Sequence, residues 1–155
     1  MRILLGSKAR SVTWIFLING MYLLDTNVLS ELRKKERCNR SVRQWIDLIR
    51  SDDLWISVLV AGEIRKGIQL IQRRDPISAS NLEKWLTDVL LKYSGRILPI
   101  TLEVTEEWGR LNAVRSMPAA DSLMAATANV HRLTLVTRNT GDLSTTGARL
   151  LNPFD

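Results

Sequence analysis

The chain has one cysteine, Cys38, and one histidine, His131. A lone cysteine excludes an internal disulfide and any zinc cluster built on thiolates, and it reads as a free cytosolic thiol. His131, at a helix end beside Arg132, reads as a surface cap and is assigned no role. The apolar run Val12 to Ile18 is shorter than the ~20 residues a membrane-spanning helix needs, and no small-x-small cleavage site follows it. Neither GxxxxGK[ST] nor GxGxxG occurs, so nucleotide binding through those loops is not supported. Internal repeats, low-complexity tracts and linkers are also missing. Carboxylates are left as the main candidates for metal or acid–base chemistry.

The length of 155 residues indicates one domain, and 45% hydrophobic with 25% charged residues is the balance of an ordinary globular protein. A net charge of +6 invites a nucleic-acid partner. Arg2, Lys8 and Arg10 supply three of the 22 basic residues, leaving 19 against all 16 acids from Met21 onward. The basicity of the domain itself is therefore mild. Residues 1–20 are expected to be an upstream extension and Met21 the functional start, with an added edge strand or a loose arm as the alternative. The location expected is cytoplasmic, with no membrane partner.

From Met21 the pattern alternates. Met21–Leu24 is a short buried strand ending on Asp25, followed by a helix with Val28, Leu29 and Leu32 on one face, capped by Thr26 or Asn27. A second helix carries Val42, Trp45, Ile46 and Ile49. Leu54–Ser57 is a second strand, and a helix from Val58 to about Arg73 follows, broken by Asp75-Pro76. Further helices are expected over Ser78–Lys92, Thr101–Ser116 and Ala119–Val130. Arg96–Ile100 and Thr134–Thr137 are expected strands, with an edge strand near Ala148–Leu151. The tryptophans Trp45, Trp55, Trp85 and Trp108 fall at core spacing and read as packing. Strands alternating with helices predict an α/β fold with a parallel sheet covered on both faces.

In such a sheet the carboxyl ends of the strands lie on one edge. Asp25 ends the first strand, Glu63 lies within two turns of the second, Asp121 opens the helix led by Pro118, and Asn139 and Asp142 follow the fourth. Each has a plain structural alternative. Asp25 could cap a helix, Glu63 could reach water from a helix flank, and Asn139 and Asp142 could be turn residues. Asp121 is the least ordinary, because its helix is apolar nearly all round and a buried carboxylate needs a partner. Several carboxylates in one crevice repel unless a cation holds them, and an oxygen-only ligand set selects Mg2+ or Mn2+.

Four segments resemble the PIN-domain ribonucleases, and most of all the VapC toxins of type II toxin–antitoxin systems in the branch that includes FitB. They are Leu24–Glu31, Ser57–Gly67, Ala119–Ala128 and Leu135–Asn139. The resemblance runs from Met21 to Leu151-Asn152-Pro153-Phe154. It implies a PIN domain over 21–155 with a three-layer α/β/α fold and a central, mostly parallel sheet of four to five strands. It also implies an Mg2+-dependent endoribonuclease, with Mn2+ as a substitute, that blocks translation until a cognate antitoxin occupies its site; a homodimer is expected. Asp25, Glu63 and Asp121 match the three core acids. At the fourth position Asn139 stands where some relatives carry Asp, and Asp142 matches another common form; either completes the ligand set. Thr26, Asn27, Ser57 and Thr137 are expected to hold carboxylates and water around the metal.

Two other readings compete. A non-catalytic PIN-like module would bind RNA or protein without using the acids. A phosphatase or phosphoacceptor domain would use Asp25 covalently. The haloacid type of phosphatase wants a second Asp two residues on, where Asn27 stands, and phosphoacceptor domains want a late lysine, which is missing beyond Lys92.

Overall fold

The computed structural model describes residues 20–155, so the expected extension lies, except for Gly20, outside the described residues. In chain order the elements are β1 (Tyr22–Leu24), α1 (Thr26–Leu32), α2 (Arg40–Ile46), β2 (Leu54–Ser57), α3 (Val58–Ile71) and α4 (Pro76–Lys92). They continue with β3 (Ile97–Leu98), α5 (Leu102–Val114), α6 (Ala119–His131), β4 (Thr134–Val136) and β5 (Arg149–Leu151). The strand order is β3-β2-β1-β4-β5, and every pairing is parallel. The sheet is therefore wholly parallel, with β1 at its centre.

Chain direction reverses at that centre. From β1 the chain moves out to β2 and β3, then returns across the sheet to β4 and β5. Parallel crossovers are right-handed, so opposite directions of travel place α1–α4 on one face and α5 and α6 on the other, giving three layers. Between β1 and β4 the outgoing connections leave in opposite directions, which opens a crevice at their carboxyl ends. α3 starts at that edge because it follows β2 directly. α6 starts there because it runs back towards the start of β4.

The strands are short apolar runs, with Leu23, Leu24, Ile56, Leu135 and Val136 all 0% exposed. Tyr22 meets Trp45 edge-to-face at 5.3 Å between ring centroids, which fixes α2 against β1. α6 approaches the sheet closely because Ala125, Ala126 and Ala128 are buried where larger side chains would hold it off. Arg96 ties the entry of β3 to β2 by donating to the carbonyls of Ser51 and Leu54.

Several local expectations are corrected. The cap of α1 is Asp25 rather than Thr26 or Asn27, because Asp25 is extended while Thr26 already belongs to the helix. α2 ends at Ile46, leaving Ile49 in the following turn. β3 is reduced to Ile97–Leu98, since Pro99 has no N–H to continue the ladder. His131 is half-buried rather than on the surface, and Arg132 closes α6 at φ 56°, in the left-handed region. Among the described residues no helix is long and apolar enough to cross a membrane.

Leu23 is 0% exposed on the central strand. Leu23→Ala should lower unfolding stability by about 3 kcal/mol in urea titrations. A loss below about 1 kcal/mol would contradict a close-packed centre at β1.

Candidate metal centre

Asp25 begins where β1 stops. Its amide donates to Val136 O at 3.0 Å, so the first residue beyond β1 is still registered against β4. One carboxylate oxygen, Oδ1, accepts from the Thr26 amide at 2.7 Å. The other, Oδ2, accepts from Thr137 Oγ1 at 2.7 Å and Asn27 Nδ2 at 3.1 Å. The capping interpretation of Asp25 is thus correct as far as it goes, but the cap uses only Oδ1. Three donors from three residues fix the whole carboxylate in orientation.

Thr137 sits at the carboxyl end of β4 and is 0% exposed. Besides donating to Asp25, its hydroxyl oxygen accepts from the Asn139 amide at 3.1 Å. Asn139 in turn extends Nδ2 towards Asp121 Oδ2 at 3.3 Å. On the other flank, Thr26 Oγ1 donates to Glu63 Oε1 at 2.8 Å, reaching from the start of α1 to the second turn of α3. Asp25, Glu63 and Asp121 are thereby linked through the residues that follow β1 and β4. Asp142 lies in the exposed turn beyond Asn139, close enough to act electrostatically on Asp121. Ser57 is placed differently from the expectation: its oxygen accepts from the Leu59 amide and caps α3, with no hydrogen bond to any of the acids.

The carboxylates disfavour one another's charge. The Asp121 carboxyl is pushed above its ordinary range, first by burial and then by the charges of Asp25 and Asp142. Glu63 keeps an open face to solvent, but the protein packed behind it strips enough hydration to raise its carboxyl, and Asp25 and Asp121 add to the effect. Lys66 and the Thr26 hydroxyl act in the opposite sense on Glu63 without reversing it. None of the three acids forms an ion pair among the described residues.

The donor set is all oxygen, apart from amide nitrogens that a side-chain flip exchanges for oxygen. Among the described residues no group of three or more acidic, histidine or cysteine side chains is already gathered closely enough to hold a metal ion, so any cation here would meet few protein ligands directly. An open cluster of this kind fits Mg2+ or Mn2+, since Mg2+ keeps much of its water and takes only one or two carboxylates directly. It does not fit an ion that needs a preformed protein cage.

Two residues given no role in the sequence reading stand beside the site. Glu31, 7% exposed, accepts from the Asn39 amide and from Lys34 Nζ, both at 2.7 Å, and holds the turn between α1 and α2. The Arg138 amide donates to Asn27 Oδ1 at 3.4 Å. The sequence cue for Arg138 was its position between Thr137 and Asn139.

Comparisons with known proteins match most of the described chain. A family model described as "PIN domain" matches residues 22–147. The VapC ribonuclease Y4jK of Sinorhizobium fredii is 33% identical over 142 residues, covering 87% of this chain and 99% of that protein. The toxin FitB of Neisseria gonorrhoeae is 31% identical over 141 residues, covering 86% and 99%. The crystal structure of FitAcB from Neisseria gonorrhoeae superposes with a TM-score of 0.76 at 31% identity, over 86% of this chain and 99% of that one.

The raised carboxyls give a signed dependence on pH. A carboxyl whose folded value lies above its unfolded value contributes stability below the unfolded value and loses it as pH rises through the folded one. In EDTA at pH 7, Asp121→Asn should therefore melt at a higher temperature than the parent protein. The gap should narrow as pH falls through the raised values towards the ordinary 3.8 of Asp. A parent more stable than Asp121→Asn at pH 7 in EDTA would contradict the crowding.

Proposed function

The chain belongs to the PIN-domain family, and from that premise we propose that it is a divalent-metal-dependent endoribonuclease, the toxin of a type II toxin–antitoxin pair. The observation that carries this reading is the convergence of Asp25, Glu63 and Asp121 at the reversal of strand order, with no ion-pairing cation among the described residues. The names of the curated relatives, a VapC ribonuclease and a FitB toxin, support both the nuclease and the toxin halves. In this reading residues 21–155 form the working domain.

Asp25 and Asp121 would hold Mg2+, or Mn2+ in its place, with Glu63 on the same ion or on the attacking water. When bound, the cation neutralises charge on the phosphate oxygens and lowers the pKa of a neighbouring water. The chain's own residues supply the rest. Thr137, Asn27 and the Thr26 amide orient Asp25 and leave acceptor capacity on Oδ1, which takes one donor where Oδ2 takes two. Glu63, whose carboxyl is raised first by desolvation and then by Asp25 and Asp121, is the group placed to accept a proton from that water. Water oxygen attacks phosphorus, one P–O bond of the RNA breaks, and the departing oxygen takes up a proton. Asn139, touching Asp121, and Asp142, acting on it through charge, are both retained as the fourth oxygen donor.

The partners follow from the same reading. RNA is the substrate, and cleavage blocks translation. In this reading a cognate antitoxin covers the site until released, and the relative named as the toxin FitB supports a toxin with such a partner. The working form is a homodimer in the cytoplasm.

Purified protein should cleave RNA with Mg2+ or Mn2+ and stop when EDTA is added. Asp25→Ala, Glu63→Ala and Asp121→Ala should each lose at least about 100-fold in rate. Asn139→Ala and Asp142→Asn identify the fourth donor by which loss is larger. Cleavage that ignores EDTA, or full activity in Asp121→Ala, would overturn the mechanism. RNA binding without cleavage in the parent protein would favour a non-catalytic module. Induction in a bacterial host should arrest growth, with relief by the antitoxin.

A further inference from the structure

A crevice ringed by carboxylates repels the phosphate backbone of RNA, so cations at its rim have work to do. Several arginines near the sheet edges and helix ends are already occupied. Arg65 is paired with Glu83 and Arg110 with Glu107, while Arg96 and Arg149 donate to backbone carbonyls. Arg138 differs. It is exposed, and among the described residues no carboxylate lies within ion-pair distance of it.

Its guanidinium instead lies over the ring of Phe154, with Cζ 3.8 Å from the ring centroid. The tail that brings Phe154 there is itself tied down. The Thr137 amide donates to Leu151 O at 2.9 Å, Pro153 is buried, and the Phe154 amide donates to Asn152 Oδ1 at 3.1 Å. Stacking occupies one flat face of a guanidinium and leaves the N–H donors in its plane free. That plane matches a phosphate, which it meets through parallel hydrogen bonds.

The position is registered to the crevice. Arg138 lies between Thr137, which donates to Asp25, and Asn139, which reaches Asp121. Its own amide donates to Asn27, whose side-chain amide touches Asp25. Glu31, on which Arg138 acts weakly through charge, is already satisfied by Lys34 and the Asn39 amide. A pre-oriented cation with no ion-paired carboxylate among the described residues, one residue from the contacts of two acids, is arranged for a ligand's negative charge.

We propose that Arg138 binds a backbone phosphate of the RNA strand beside the scissile one, and that Phe154 holds its guanidinium flat for that contact. This rests on the ribonuclease reading above and gives the substrate strand a direction out of the crevice, past the end of β4 and the C-terminal tail.

Binding is measured on the Asp121→Asn protein, which leaves RNA intact, with a labelled RNA hairpin over a series of KCl concentrations. Adding Arg138→Ala should weaken binding about fivefold near 0.15 M salt and reduce the slope of log K against log salt by roughly 0.7–0.9. Arg138→Lys should keep the slope, because the charge remains, but bind more weakly than the parent. Phe154→Leu should also lower affinity with the slope unchanged. In the active protein Arg138→Ala should raise KM and leave kcat nearly unaltered. Should Arg138→Ala unfold, the Arg138→Lys and Phe154→Leu variants carry the test, since a merely structural role would not separate affinity from slope. Unchanged affinity and slope would overturn the proposal. Unchanged RNA binding with weaker capture of a co-expressed antitoxin would assign Arg138 to protein recognition and overturn it as well. An Asp121→Asn parent that binds no hairpin, together with an active form that cleaves none, would instead remove the ribonuclease reading.

Discussion

Mutual repulsion among Asp25, Glu63 and Asp121 is the constraint to which the surrounding residues answer. Each would ionise freely in water, and two of the three are held above their ordinary range by partial burial and by one another. A fold that gathers such groups loses stability unless each carboxylate is oriented by donors or a cation is supplied. Here the donors are local and economical. Thr137 and Asn27 hold Asp25, Thr26 holds Glu63, and Asn139 reaches Asp121. Every one of these residues lies at the end of β1 or β4, or just beyond it.

That placement follows from topology. A parallel sheet puts all strand ends of one kind on one edge, and reversal of the connections between β1 and β4 leaves the crevice there uncovered. α3 and α6 then begin at the same edge, one because it follows β2 at once and the other because it returns towards β4. Helix starts carry unpaired amides, and their dipoles favour nearby negative charge. Asp25 uses this directly by capping α1 with Oδ1 while Oδ2 is held from the side. One residue therefore begins a helix and, in the proposed function, holds the cation, and both roles require the carboxylate to stay fixed.

The C-terminal tail belongs to the same arrangement. β5 extends the sheet next to β4, and the Thr137 amide completes the ladder onto Leu151. The chain then turns through Asn152 and buries Pro153, which brings Phe154 against Arg138. Residues at the far end of the sequence thus shape the rim of a crevice whose first acid is Asp25. The charge pattern around the crevice is correspondingly uneven, with acids inside and a stacked guanidinium at one side.

Much of this was legible in the sequence alone. The alternation of short apolar runs with helical periods determined the α/β class and the parallel sheet, because burial on both faces demands apolar residues at every strand position. The central place of β1 came from the tertiary structure. Asp25, Glu63, Asp121, Asn139 and Asp142 stood out as candidates from their distance to strand ends, and Thr26, Asn27 and Thr137 from the resemblance to the PIN-domain family. Other details depended on contacts between residues far apart in the chain. The cap of α1 fell to Asp25, the hydroxyl of Ser57 went to the start of α3, and His131 was half-buried, each decided by neighbours that a local pattern does not reveal. The tie between Thr137 and Asp25 spans 112 positions, and the stack of Arg138 on Phe154 exists only because β5 returns the tail to the end of β4. Periodicity records which side of an element faces the core. Which donor meets which acceptor is settled only when the sheet brings the strand ends together, since a hydrogen bond depends on distances of tenths of an ångström that no spacing in the sequence encodes.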